Sequence, residues 1–274
     1  MTVICSGALL LVVAIVCGNA AAYAHRAAIL KGATGCDAVE PLGIISAAGA
    51  FATECAALAA VLCLIPIGWC TPRCRSSAPA RGTLVLVHGW GLNRGCFWRL
   101  RRRLLRDGWG PVVCFEYRSF AANVERAAEA LRPVVERLAS AIPGRPITLI
   151  GHSLGGLVIR YYVRRYPASG VRRVVTLGTP HAGTVLPACR VGPAARRVMP
   201  ESPLLKTLNA ADRVPQQFDV IAIHSTFDAL VLPPSNAEYP GAFNIRLNDV
   251  GHNALLFSSK VYRLLAENLA APLR

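Results

Sequence analysis

The chain opens on two long apolar runs and then changes character. Residues 2–24 contain no charged side chain and are rich in Leu, Val, Ile and Ala, and residues 42–69 carry a single charge, Glu54. From residue 81 onward, short apolar runs alternate with longer stretches whose apolar positions recur every three to four residues. The runs 83–87, 111–115, 146–150, 171–177, 219–224 and 242–247 predict strands, and stretches such as 123–140 and 157–166 predict helices. Regular β and α alternation implies a doubly wound, mostly parallel α/β sheet covered on both faces. The alternation stops over residues 184–217, where Pro187, Pro193, Pro200, Pro203 and Pro215 leave one short helical stretch at 203–209.

About 20 apolar residues in a helix cross the hydrocarbon core of a bilayer. Residues 1–70 therefore read as a two-helix membrane anchor with spans at about 2–24 and 46–69. Residues 71–80, rich in Pro, Ser and Arg, form a linker, and residues 81–274 form the α/β domain. In this reading Glu54 lies near one end of the second span and snorkels toward the headgroups, and Pro66 lies near the other. Two alternatives remain. Ala22-Tyr23-Ala24 resembles a signal-peptide cleavage site, although no basic segment precedes the apolar run. The two runs could also form a helical hairpin packed on the domain that follows. Arg73, Arg75 and Arg81 outnumber Arg26 and Lys31 beside the spans, which favours a cytoplasmic domain on an inner membrane.

The richest local pattern is Gly151-His152-Ser153-Leu154-Gly155-Gly156, which ends one predicted strand and opens a helix. That order of strand, sharp turn and helix is what a nucleophile elbow requires. Other motifs accompany it in order: His88-Gly89-Trp90-Gly91, then Leu177-Gly178-Thr179-Pro180-His181-Ala182-Gly183. Ser225-Thr226-Phe227-Asp228, with Val231 and Pro233, and Val250-Gly251-His252 follow. In these motifs residues 81–270 resemble the α/β-hydrolase superfamily, in its bacterial lipase and esterase branch. The resemblance implies a serine hydrolase of lipid esters, with residues 184–217 as a short cap over the acyl pocket.

A serine hydroxyl needs a base, and histidine suits neutral pH. An acid must hold that base in one tautomer. In this fold the chain order is Ser, then Asp or Glu, then His, and Ser153, Asp228 and His252 fit it. Asp228 follows the strand 219–224 at its C-terminal edge, where catalytic groups gather in open α/β sheets. Asp249 is the alternative acid; Asp219 opens that strand at the wrong end, and Asp212 falls in the cap. His88 is expected to brace the oxyanion turn, His152 to point away from the reaction, and His181 and His224 to be structural. The oxyanion donors are the backbone N–H of Leu154, after the nucleophile, and by resemblance that of Trp90. Leu204, Leu205 and Leu208 either line the pocket or pack the cap. The same triad would also serve an acyltransferase, and a non-catalytic membrane scaffold is the third reading.

The chain has 30 basic and 15 acidic residues. Without residues 1–70, which hold Arg26, Lys31, Asp37, Glu40 and Glu54, 28 basic residues face 12 acidic ones. Many of the arginines fall on predicted helices: Arg99, Arg101, Arg102, Arg103 and Arg106 on one, Arg160, Arg164 and Arg165 on another. Beside an anchor, such a surface suits anionic lipid; a genome-wide preference for arginine would give the same excess. No nucleic-acid motif is present, and no nucleic-acid partner is expected. The ten cysteines fall largely in apolar runs, where Cys acts as a small hydrophobe. Neither a metal, a cofactor nor an obligatory disulfide is expected, and a Cys70–Cys74 bridge is the one pairing left open.

Overall fold

The computed structural model describes residues 2–37, 39–70, 81–167, 170–186, 196–210 and 218–273. Six strands build one sheet: β1 (Thr83–Val87), β2 (Val112–Phe115), β3 (Ile147–His152), β4 (Val171–Leu177), β5 (Asp219–Ser225) and β6 (Phe243–Leu247). Their order is β2-β1-β3-β4-β5-β6, and every neighbouring pair is parallel. The chain steps from β1 to one side and then returns for β3 on the other. The crevice beyond the C-terminal ends of β1 and β3 is therefore the topological switch point, where open α/β sheets bind ligands. Val87 of β1 pairs with Gly151 of β3, so the loop after β1 emerges beside Ser153.

The pleat of β1 shows why a central strand is apolar on both faces. Leu84 and Leu86 face one layer, with Leu100 and Leu104 of α3 (Trp98–Arg106) and Val261 and Leu265 of α7 (Ser259–Ala270). Val85 and Val87 face the other, with Leu131 of α4 (Val124–Ala141) and Leu157 of α5 (Leu154–Arg165). A strand covered on both sides has no polar face to show in its sequence.

The N-terminal runs form two long helices, α1 (Thr2–Leu30) and α2 (Ile44–Cys70). Among the described residues, Leu10–Leu30 and Ile44–Trp69 are long and apolar enough to cross a membrane. The second helix is nevertheless docked on the domain. Ala50, Glu54, Ala57 and Val61 are buried, a stripe at intervals of four, three and four that marks one helical face. Ala57 and Val61 join the core layer of Leu84 and Leu86. Further along, Asn93 Nδ2 donates to Ile65 O at 2.8 Å and Arg94 Nε to Gly68 O at 2.6 Å. A Cβ on Gly95 would approach Leu64 O, and one on Gly68 would meet the Asn93 side chain, so both glycines permit the close approach. Outside that stripe α2 keeps apolar side chains in the open, among them Ile44, Ile45, Leu62, Ile67 and Trp69.

The expectation for Glu54 is corrected. Its carboxylate does not snorkel but is 2% exposed, accepting from Asn253 N, Asn253 Nδ2 and Ala254 N at 3.0, 2.7 and 2.9 Å. A buried carboxylate without partners is costly, and three N–H donors supply what water would have given. The first helix adds contacts of its own: Arg26 donates to Thr226 O and lies over the Phe227 ring, and the Tyr23 and Phe227 rings lie 4.7 Å apart. The hairpin thus packs on the domain through α2 while keeping apolar faces outward.

Arg160 is a second correction. It is buried, not part of a basic surface, and its guanidinium binds His181 O, Leu208 O and Asn209 Oδ1. Arg164 and Arg165 on the same helix are exposed. The linker, the Cys74 position and residues 187–195 and 211–217 of the expected cap lie outside the described residues. Within the rest of that segment, Leu204, Leu205 and Leu208 of α6 (Pro203–Asn209) are buried against the α4–α5 layer. They pack the cap and do not line the cavity described below. Cys17, Cys55, Cys63, Cys96 and Cys114 are free thiols.

Candidate active site

Ser153 stands between β3 and α5 with φ 53° and ψ −124°. A side chain at positive φ outside glycine is strained by about 1–3 kcal/mol, and surrounding contacts must enforce it. Here they do. Ser153 N donates to Leu177 O at 2.9 Å, and Thr179 Oγ1 donates to Ser153 O at 3.0 Å. The glycines of the motif admit the tight packing. A Cβ on Gly155 would lie 2.1 Å from Val87 O, and one on Gly156 would collide with Thr179. The helix can begin directly beneath the serine only because both lack a side chain.

Asp228 follows β5, and His252 follows β6. His252 Nδ1 lies 2.6 Å from Asp228 Oδ2. The other oxygen, Oδ1, accepts from Leu230 N at 2.7 Å and Val231 N at 3.0 Å. Both residues are buried. Burial works to lower the imidazole pKa, but the charge and hydrogen bond of Asp228, with the charge of Glu54, outweigh it and raise His252 above its ordinary value. Gly178, at φ 55°, clears the space: a Cβ there would stand 3.3 Å from both Asp228 Oδ2 and His252 Nδ1.

The rival acids are occupied elsewhere. Asp249 is paired with Lys260 at 2.7 and 2.9 Å. Asp219 binds Arg173 at 2.8 Å at the far end of the sheet. Asp212 lies outside the described residues.

Ser153, Leu154, Trp90 and His252 border one cavity of about 230 Å³. Its remaining walls are largely apolar, including Leu92, Leu186, Val198, Leu230 and Val231. Trp90 and Phe120 stand exposed, with Trp90 Nε1 donating to Phe120 O at 3.1 Å. The loop carrying Trp90 is held from behind by His88. That ring stacks on Tyr117 at 4.5 Å and sets Nε2 3.3 Å from Glu116 Oε1, while Tyr117 Oη donates to His88 O.

Residues 84–271 match the family described as "Alpha/beta hydrolase family". The chain belongs to that family. Among curated relatives, "Probable esterase PIR7A" of Oryza sativa subsp. indica is 33% identical over 89 residues, covering 30% of this chain and 34% of that one. The chain spans less than half the length of the curated relatives it matches. Among solved structures, Aspergillus fumigatus lipase B superposes with a TM-score of 0.61 at 17% identity, covering 70% of this chain and 54% of that one. Bacillus licheniformis lipase BlEst2 in its mature form gives 0.58 at 17% identity, over 73% and 96%. These likenesses are of fold.

Other histidines of this α/β hydrolase differ in role. His152 does not turn away, as its place before the nucleophile suggests. It is buried against the His252 ring, 4.8 Å between centroids, with Nε2 3.1 Å from His252 O. Burial, and then the neighbouring His252, push its pKa down to about 3, so it is neutral and Nε2–H donates to that carbonyl. His181 is buried between Thr176 Oγ1 and Arg160, and burial holds its pKa well below the ordinary value. Glu54 is a part of the site that no motif marks, whereas Gly178 and Gly251 fall inside motifs whose sequence does not show why glycine is needed there. A Cβ on Gly251 would lie 2.4 Å from Glu54 Oε2, and only the lone charge in an apolar run signalled anything unusual in the sequence.

Proposed function

We propose that this chain is a membrane-anchored serine hydrolase that cleaves carboxylic esters, above all those of lipids. The observation that carries the reading is the buried Asp228–His252 pair, whose histidine borders one apolar cavity together with Ser153. His252 takes the proton of Ser153 Oγ as that oxygen attacks the ester carbonyl. Backbone N–H groups of Trp90 and Leu154 hold the tetrahedral oxyanion. His252 passes its proton to the leaving alcohol, and the acyl-enzyme remains. Water then gives a proton to His252 and attacks the acyl carbon; His252 returns that proton to Ser153 Oγ as the acyl C–O bond breaks, which frees the acid and restores the serine. Asp228 keeps Nδ1 protonated and stabilises the imidazolium. The names of the relatives, an esterase and two lipases, support an ester substrate, and the apolar walls suit an acyl chain.

The anchor reading rests on the exposed apolar faces of the hairpin, such as Leu10, Val12, Ile44 and Ile45, which water would leave unsatisfied. Arg73, Arg75 and Arg81 favour the cytoplasmic side. The test is a chain-length series of p-nitrophenyl esters and emulsified triglyceride, with wild type and Ser153→Ala in detergent. Serine-dependent cleavage of the long or emulsified substrates is expected. Unchanged cleavage by the folded variant would refute the assignment.

A further inference from the structure

We infer that Glu54, on the second N-terminal helix, is a positioning residue for His252, so that the hairpin completes the active site as well as anchoring it. The inference rests on the reading of His252 as the base. His252 sits in a short connection between β6 and the turn Ala254–Leu256. Its own ring nitrogen Nδ1 is fixed by Asp228, but the backbone that carries it needs separate support. That support comes from three directions. Val250 N reaches Ser225 Oγ at 3.4 Å, and His252 O receives His152 Nε2. The third is Glu54, which gathers Asn253 N, Asn253 Nδ2 and Ala254 N on two carboxylate oxygens.

The contact is built on both sides. Gly251 leaves room for Glu54 where a Cβ would not fit, and Ala50, Ala57 and Val61 bury the flanking turns of α2. No other described residue of the hairpin brings a carboxylate to this loop. A carboxylate there does two things at once. It fixes the two loop residues that directly follow the base, 199 and 200 positions from Glu54 in sequence. It also adds negative charge beside an imidazole that becomes positive in the reaction. The titratable groups that face His252 are Asp228, Glu54 and the neutral His152.

The test is Glu54→Gln in the full-length protein in detergent, assayed for ester hydrolysis across pH. The amide keeps the size of the side chain but loses the charge and turns one acceptor into a donor. Because displacing a reacting group by about 1 Å costs on the order of a hundredfold, kcat is expected to fall about ten- to a hundredfold with KM nearly unchanged. The acid limb of kcat/KM is expected to move to lower pH, since less negative charge then supports the imidazolium. A purely structural glutamate would alter neither the limb nor kcat in folded protein. Wild-type kcat with an unmoved limb overturns the inference. If Glu54→Gln does not fold, Asn253→Ala supplies the second arm. It removes one donor and leaves the charge, so kcat should fall with the limb in place, and wild-type kcat there overturns the inference. Ser153→Ala separates this from the underlying reading: an active Ser153→Ala refutes the serine mechanism, whereas an inactive one beside a fully active Glu54→Gln refutes the positioning role alone.

Discussion

Asp228 uses its two carboxylate oxygens for different tasks: Oδ2 meets His252 Nδ1 at 2.6 Å, while Oδ1 is held by the N–H groups of Leu230 and Val231. The backbone clamp holds the carboxylate independently of the histidine, so the imidazole is oriented by a group that is itself fixed. Asn at this position would keep the shape but offer Nδ1 an ambiguous partner, which permits the wrong tautomer. Asp228→Asn should therefore retain the fold and lose about 10³–10⁴ in kcat. Steady-state kinetics beside a thermal melt separates the two effects.

The pH profile follows from the same pair. The base must be neutral to accept the serine proton, and His252 is raised above its ordinary value. Activity should thus fall as pH drops through that raised pKa, placing the acid limb of kcat/KM above about 6.5. In Asp228→Asn the charge that raises it is gone, and the residual activity should show a limb at lower pH. A profile of wild type and variant in matched ionic strength checks the direction.

The elbow predicts a stability effect. Gly155→Ala places a methyl 2.1 Å from Val87 O, a backbone atom that cannot swing aside. Strand β1 and α5 would have to part, at a cost of about 1–3 kcal/mol or more. A lower melting temperature and loss of esterase activity are expected together. An unchanged melt would contradict the packing described.

Chain-length preference should be set by the cavity wall. Leu186 and Val198 border a volume of about 230 Å³ with Ser153. Leu186→Trp would fill part of it. Long-chain p-nitrophenyl esters should lose kcat/KM by about tenfold or more relative to the acetate, because a bulky acyl chain no longer fits. The ratio of the two substrates reads this without reference to enzyme concentration.

The strands were legible because a strand buried on both faces writes itself as a nearly unbroken apolar run, as residues 83–87 do for β1; residues 171–177 coincide with β4 although Arg172 is exposed and Arg173 is buried in its pair with Asp219. The start of α5 was less so. Gly155 and Gly156 disfavour helix locally, so periodicity points to residue 157, yet the helix begins at Leu154. Packing against Val87 and Thr179 overrides propensity there. Ser153, Asp228 and His252 could be nominated from motif order, and the structure brings Asp228 to His252 and sets Ser153 on the same cavity. Asp249 could be dismissed only once its partner Lys260 was seen. Glu54 and Arg160 were beyond sequence reading for a shared reason. Each lies on a helix whose pattern suggests lipid or water around it, and each is instead buried by partners distant in sequence.

The most direct measurement of the central claim is covalent capture. A long-chain alkyl fluorophosphonate is incubated with wild type, Ser153→Ala and His252→Ala in detergent, and adducts are mapped by peptide mass spectrometry. The account predicts one phosphonyl adduct on Ser153 in wild type, none in Ser153→Ala, and labelling slowed by several orders of magnitude in His252→Ala. An adduct on another residue, or an equal rate in His252→Ala, would contradict it.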